Sequence, residues 1–143
     1  MEKKNYNFSR HSDDAISLKT LVNDLVNSSL PAAINNKSNV INDVEQEVLL
    51  GEGNHKISAI VRDLLAMVVL NSKNGEIHIT ADRYSDVVTL EIQERNNYNG
   101  YALAFSIGSI EPDAYNIGGH IAIKGAQQKV VTISFSFPGK YAA

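Results

Sequence analysis

The stretch that decides the fold is ISAIVRDLLAMVVLNSKNGEIHITADRYSDVVTLEIQE, residues 57–94. Its first part places Ile57, Ile60, Val61, Leu64, Leu65, Val68 and Val69 at i, i+3, i+4 and i+7 spacing without a gap. That pattern predicts an amphipathic helix with one buried stripe. Asn71-Ser72-Lys73-Asn74-Gly75 ends it, because Asn and Gly tolerate the left-handed backbone of a helix C-terminus. The apolar period then shortens to that of a strand. Ile77, Ile79 and Ala81 alternate with His78 and Thr80, and Val88, Leu90 and Ile92 repeat the alternation after the turn Asp82-Arg83-Tyr84-Ser85-Asp86. Two such runs around a polar turn predict an antiparallel hairpin with one covered face.

Upstream, Leu18, Leu21, Val22 and Leu25 recur at helical spacing, and Ser12, Asp13 and Asp14 stand where a helix cap is expected. Pro31 is expected to kink or restart this helix, with Asn35-Asn36-Lys37 as its polar end. Short extended pieces follow at Asn39 to Asp43 and Val48 to Leu50, before a Gly51-Glu52-Gly53-Asn54 turn. Downstream, a weaker helix is expected from Tyr101 to Ile110, ended by Pro112. Gly118-Gly119 turns into a strand at Ile121 to Lys124, Gly125 to Gln128 turns again, and Val131, Ile133, Phe135 and Phe137 define a last strand. Strands with one apolar side and helices to cover it make an α+β fold: a two-layer α/β sandwich, its sheet mostly antiparallel with helices on one face. Residues 1–14 read as a polar N-terminal tail and 15–143 as a single domain.

Composition excludes several functions. Hydrophobic residues at 43% and charged residues at 20% describe a globular chain of 143 residues with room for one core. No cysteine is present, so disulfide frameworks, thiol catalysis and Cys-ligated zinc are excluded. No apolar run approaches the roughly 18 residues of a membrane span, and the polar start lacks a signal-peptide core, so a cytoplasmic location is expected. A net charge of -3 with scattered basic residues speaks against nucleic-acid or membrane-surface binding. His11, His55, His78 and His120 lie on four separate segments with no ligand spacing, so no metal site is expected. Ser134 and Ser136 read as the wet side of a strand, and no G-x-S-x-G nucleophile elbow occurs.

Three stretches together resemble the ATP-binding domain of sensor histidine kinases, the Bergerat-fold GHKL superfamily. They are GNHKISAIVRDLLAMVVLNSKNGEIHI (53–79), VVTLEIQE (87–94) and GGHIAIKGAQQKVVTISFSFP (118–138). In that family the long helix presents Asn, a second Asn four residues on and Lys three further, which hold Mg²⁺ and phosphate. The same flank here reads Asp63, Met67 and Leu70, with Asn71 beside it. Mg²⁺ wants hard oxygen ligands, and the Met67 thioether is soft. The family's first glycine box opens with an Asp that receives the adenine amino group. Here Glu94 stands at that position, with Asn96 and Tyr98 in place of the glycines. Ala104-Phe105-Ser106-Ile107 replaces the second box, and the lid shrinks to Asn97 through Ala102.

The resemblance therefore implies a degenerate nucleotide site at Asp63, Met67, Asn71, Glu94 and Asn96, with no catalytic residue, metal ligand or cofactor. It implies a module that acts in bacterial signal transduction by protein–protein interaction, without ATP hydrolysis. The expected partners are a response regulator, a kinase or a sigma factor. The alternative is a weak ATP-binding kinase or anti-sigma-type subunit, in which Glu94 takes adenine and Asp63 the Mg²⁺ of Mg-ATP. A third reading puts another ligand in an apolar cleft at Met67, Leu70 and Phe105. The phosphoacceptor helical hairpin of a sensor kinase is expected to be lacking, His11 being the only histidine in the lead-in. A first helix left without that neighbour is expected to seek a partner, a homodimer being one answer.

Overall fold

A computed structural model describes residues 16–51 and 54–139. Strand β1 (Ile16–Ser17) leads into helix α1 (Leu18–Asn35), followed by β2 (Asn39–Asn42), β3 (Leu49–Leu50) and helix α2 (Asn54–Leu70). The hairpin β4 (Glu76–Tyr84) and β5 (Val87–Glu94) comes next, then α3 (Gly100–Ile107), α4 (Glu111–Asn116), β6 (His120–Lys124) and β7 (Val131–Pro138). The main sheet has five strands in the order β2-β4-β5-β7-β6, and only the β2–β4 pair is parallel. β1 and β3 form a separate antiparallel pair.

The apolar periods account for this assembly. Every residue of the α2 stripe is buried, as are Ile77, Ile79, Val88, Leu90 and Ile92 of the hairpin and Val131, Ile133, Phe135 and Phe137 of β7. The Phe135 and Phe137 rings lie 5.1 Å apart between centroids. The opposite sheet face is polar: Thr89 and Ser136 share a hydroxyl hydrogen bond of 3.0 Å, and the Ser134 hydroxyl donates to Glu91 at 3.3 Å. The two helices are tied together at their C-terminal ends. Asn36 Nδ2 donates to the Val69 carbonyl at 2.9 Å, Asn74 N donates to the Asn36 carbonyl at 2.9 Å, and the Ser38 and Ser72 hydroxyls meet at 2.7 Å. Lys37 and Asn74 take positive φ of 57° and 51° at these two ends, the left-handed conformation expected where a helix stops.

Four expectations are corrected or refined. Ser12, Asp13 and Asp14 lie outside the described residues, and so does His11; the described N-cap of α1 is Ser17, whose hydroxyl accepts from Lys19 N at 3.1 Å. Pro31 does not divide α1, which runs through it as one helix. The hairpin turn narrows to Ser85-Asp86, with Ser85 at φ 56°, because Asp82, Arg83 and Tyr84 stay paired with Thr89, Val88 and Val87. Pro112 starts α4 instead of ending α3: it occupies the first turn, where its missing N–H costs nothing.

Candidate functional site

The outer flank of α2 and the loop after β5 hold the positions expected to form a nucleotide site. Asp63 is part-exposed on α2 and lies 3.4 Å from the Arg62 guanidinium. It lines a cavity of about 350 Å³ between α2 and α4, together with Lys56, Ile60, Asp113 and Asn116. The cavity's ionisable lining is Lys56, Asp63 and Asp113, with Arg62 beside Asp63, so it offers no excess of positive charge for a polyphosphate. Met67 is partly buried against the core. Leu70 is 68% exposed at the C-terminal end of α2 and lines a different cavity, of about 380 Å³, with Lys37, Ser72, Lys73, Asn74 and Tyr98. Glu94 lines neither. The structure thus distributes the flank over two cavities at opposite ends of α2.

Glu94 is only 3% exposed. Its Oε1 accepts from Glu76 N at 2.8 Å and from Asn96 N at 2.9 Å, clamping the end of the hairpin to the turn before it. Its Oε2 is buried without a hydrogen-bond partner, and a Cβ on Gly75 would overlap that oxygen. Glycine is required at 75 because the carboxylate fills the space a side chain would take. The other amides are likewise engaged internally. Asn71 Nδ2 donates to the Met67 carbonyl at 2.9 Å, and Asn96 Nδ2 donates to the Asn74 carbonyl at 2.9 Å. Asn97 Nδ2 bridges the Ala126 and Gln128 carbonyls at 2.9 and 2.7 Å.

The expected glycine-box position at Ala104-Phe105-Ser106-Ile107 forms the last turn of α3, not a helix start. Backbone N–H groups at the end of a helix are spent on its own carbonyls, whereas a phosphate cradle needs the free ones of a first turn. Among the described residues no group of three His, Asp or Glu side chains could hold a metal ion. His78 Nδ1 lies 3.3 Å from Asp43 Oδ2 on the outer sheet face.

No protein-family model matches the chain, and no curated protein matches it. Solved structures do. The histidine kinase AdeS of Acinetobacter baumannii superposes with a TM-score of 0.71 at 13% identity, over 87% of this chain and 66% of that one. A histidine kinase from Burkholderia phymatum gives 0.72 at 9% identity, over 92% and 71%. Histidine kinase ThkA, solved in complex with the response regulator protein TrrA, gives 0.64 at 14% identity, over 87% of this chain and 41% of that chain. The fold is that of a histidine kinase catalytic domain. The chain spans just under two thirds of the AdeS structure.

Measured against the Mg-nucleotide this fold implies, the donor set does not fit. Where a hard cation needs convergent oxygens, α2 offers Asp63, then a thioether at Met67 and an isobutyl group at Leu70. Sequence reading placed Leu70 and Phe105 with Met67 in an apolar cleft and missed that they stand on the surface with Tyr98 and Tyr101. Leu70, Tyr98, Tyr101 and Phe105 are all exposed. The signal for it was present, since Tyr101 and Phe105 stand at i, i+4 on one helix flank.

Proposed function

We propose that this chain is a degenerate histidine-kinase-ATPase-like module that works in signal transduction through protein–protein interaction and does not hydrolyse ATP. One observation carries the reading: the carboxylate at the adenine-acceptor position is buried inside the protein, with Glu94 Oε1 holding two backbone N–H groups and Oε2 shut away from solvent against Gly75. The complex of the structural neighbour ThkA with a response regulator supports a protein as the partner. A response regulator, a kinase or a sigma factor each suits the module, and a bacterial cytoplasm is the setting it fits. No helix among the described residues is long and apolar enough to cross a membrane.

Thermal denaturation with and without Mg-ATP tests the reading. Saturation at a hundredfold excess over the dissociation constant would add about 2.7 kcal/mol of stability. The expected result at millimolar Mg-ATP is an unchanged melting temperature. A rise that disappears in Glu94→Gln would establish nucleotide binding and overturn the proposal in favour of a weak ATP-binding subunit.

A further inference from the structure

The cavity at the C-terminal end of α2 shares one wall with a third cavity, between the loop leading into α3 and the 125–129 turn. Tyr98 lines the cavity that holds Leu70, Lys37 and Lys73, and it also lines a neighbouring one, about 400 Å³, with Tyr101 and Lys129. Phe105 continues the surface one helical turn beyond Tyr101. Exposure is 68% at Leu70, 61% at Tyr98, 65% at Tyr101 and 87% at Phe105; Leu70 and Tyr98 share one cavity, Tyr98 and Tyr101 the other, and Phe105 follows Tyr101 on the same helix flank. Scattered single apolar residues on a surface need no explanation, but a contiguous group does.

The support beneath this surface is rigid. Asn97 N donates to the Lys129 carbonyl at 2.8 Å, and the Asn97 amide bridges two more carbonyls of the 125–129 turn. A Cβ on Gly100 would overlap the Ala126 carbonyl oxygen, so the loop carrying the tyrosines lies against that turn with no room to spare. The aromatic rings are therefore presented by a braced backbone, which lowers the ordering cost of binding.

Charge decides what fits. Lys37, Lys73 and Lys129 are exposed around the patch, and no carboxylate lines either cavity, although the chain as a whole carries a net charge of -3. Lys73 Nζ lies 5.5 Å from the Tyr98 ring centroid, and none of the three lysines forms a salt bridge among the described residues. Two copies meeting face to face on a twofold axis would bring the lysines against one another. A nucleic-acid strand needs a longer basic track than three lysines on an acidic protein.

We propose that the Leu70–Tyr98–Tyr101–Phe105 surface docks an acidic segment of a protein partner, with apolar side chains on the four-residue patch and carboxylates facing Lys37, Lys73 and Lys129. This rests on the interaction role proposed above. The test uses the full chain and two fluorescent peptides with leucines at helical spacing, one on a glutamate background and one on a lysine background. Anisotropy should show the glutamate peptide binding at least about tenfold more tightly, with salt weakening it. Phe105→Ser with Tyr101→Ser should remove the binding. Lys37→Glu with Lys73→Glu and Lys129→Glu should transfer the preference to the lysine peptide. Since these positions are all exposed, the variants are expected to melt with the parent.

Four results would overturn the proposal: equal binding of both peptides, binding indifferent to the variants, preferential binding of an oligothymidylate, or self-association abolished by the Phe105 and Tyr101 changes. Protection of Tyr98 and Tyr101 from nitration in the free chain would also overturn it, by showing that the protein covers the patch itself. The two proposals fail separately. Peptide failure with no response to Mg-ATP removes this surface alone, whereas Mg-ATP binding removes the proposed function.

Discussion

Two flanks of one helix make opposite statements. On its inner side α2 keeps all seven apolar positions, from Ile57 to Val69, and all are buried. On its outer side Asp63, Met67, Leu70 and Asn71 stand at the positions where the histidine kinase resemblance calls for a cation site, and they share no common cavity. Asp63 and Leu64 are adjacent residues on different faces, one part-exposed and one at 0% exposure. The difference teaches that a fold is held by a volume constraint spread over many side chains, whereas a ligand site depends on a few polar atoms converging. Exchanging those few leaves the core intact.

The inner flank should therefore be the costly one to disturb. Leu64→Ala removes a fully buried side chain and leaves a cavity under the sheet, so the expected loss is about 2–5 kcal/mol in urea denaturation. A loss below about 1 kcal/mol would mean that the stripe is not the structural spine it is described as. Glu94 comes next, because it belongs to the buried structure although the histidine kinase resemblance puts it at the adenine-acceptor position. Glu94→Ala leaves the Glu76 and Asn96 N–H groups without their acceptor, at about 1–3 kcal/mol for a buried group left unpaired. Glu94→Gln keeps an acceptor oxygen and should recover most of that loss. Equal stability of Ala, Gln and Glu at this position would show that the carboxylate is not a clamp. Leu70→Ser, on the outer flank, should stay within about 0.5 kcal/mol of the parent, as substitutions at exposed positions do.

The same division governs what could be read from the sequence. Strand and helix periods were legible because burial repeats: Ile77, Ile79, Val88, Leu90 and Ile92 each say the same thing. Boundaries were less so. Pro112 was read as a helix stop and is a helix start, since a proline fits a first turn as well as it breaks an interior. Ala104 to Ile107 was placed at a helix start because the family resemblance put a glycine box there, but local helix formation begins at Gly100. The fate of Glu94 was not legible at all. Whether a carboxylate meets a ligand or two backbone N–H groups depends on how the 72–76 turn packs on it, and that packing joins residues about twenty apart in the chain. Asn71 and Asn96 were read as positions of a degenerate nucleotide site, and their hydrogen bonds to the Met67 and Asn74 carbonyls appear only in three dimensions.

The smallest effect lies on neither flank, in the loop between β2 and β3, and it sharpens the contrast between buried and solvated carboxylates. Glu47 beside Glu45 favours a proton on the Glu45 carboxyl, through a hydrogen bond available only to the protonated form and through repulsion once both ionise; this holds Glu45 above its ordinary range. A carboxyl raised in the folded state favours folding while it is protonated in both states. That contribution is fully present below the ordinary carboxyl value and is lost as pH rises through the raised one. Because Glu45 is fully solvated, the effect is small and salt screens it. Glu45→Gln supplies an amide donor to Glu47 at every pH. Its melting temperature relative to the parent should therefore climb slightly as pH rises from the ordinary carboxyl range through the raised one, and then level off. A difference flat across that window would show that the pair is not hydrogen-bonded in solution, while a climb that survives high salt would place the two carboxyls deeper in the protein than the loop puts them.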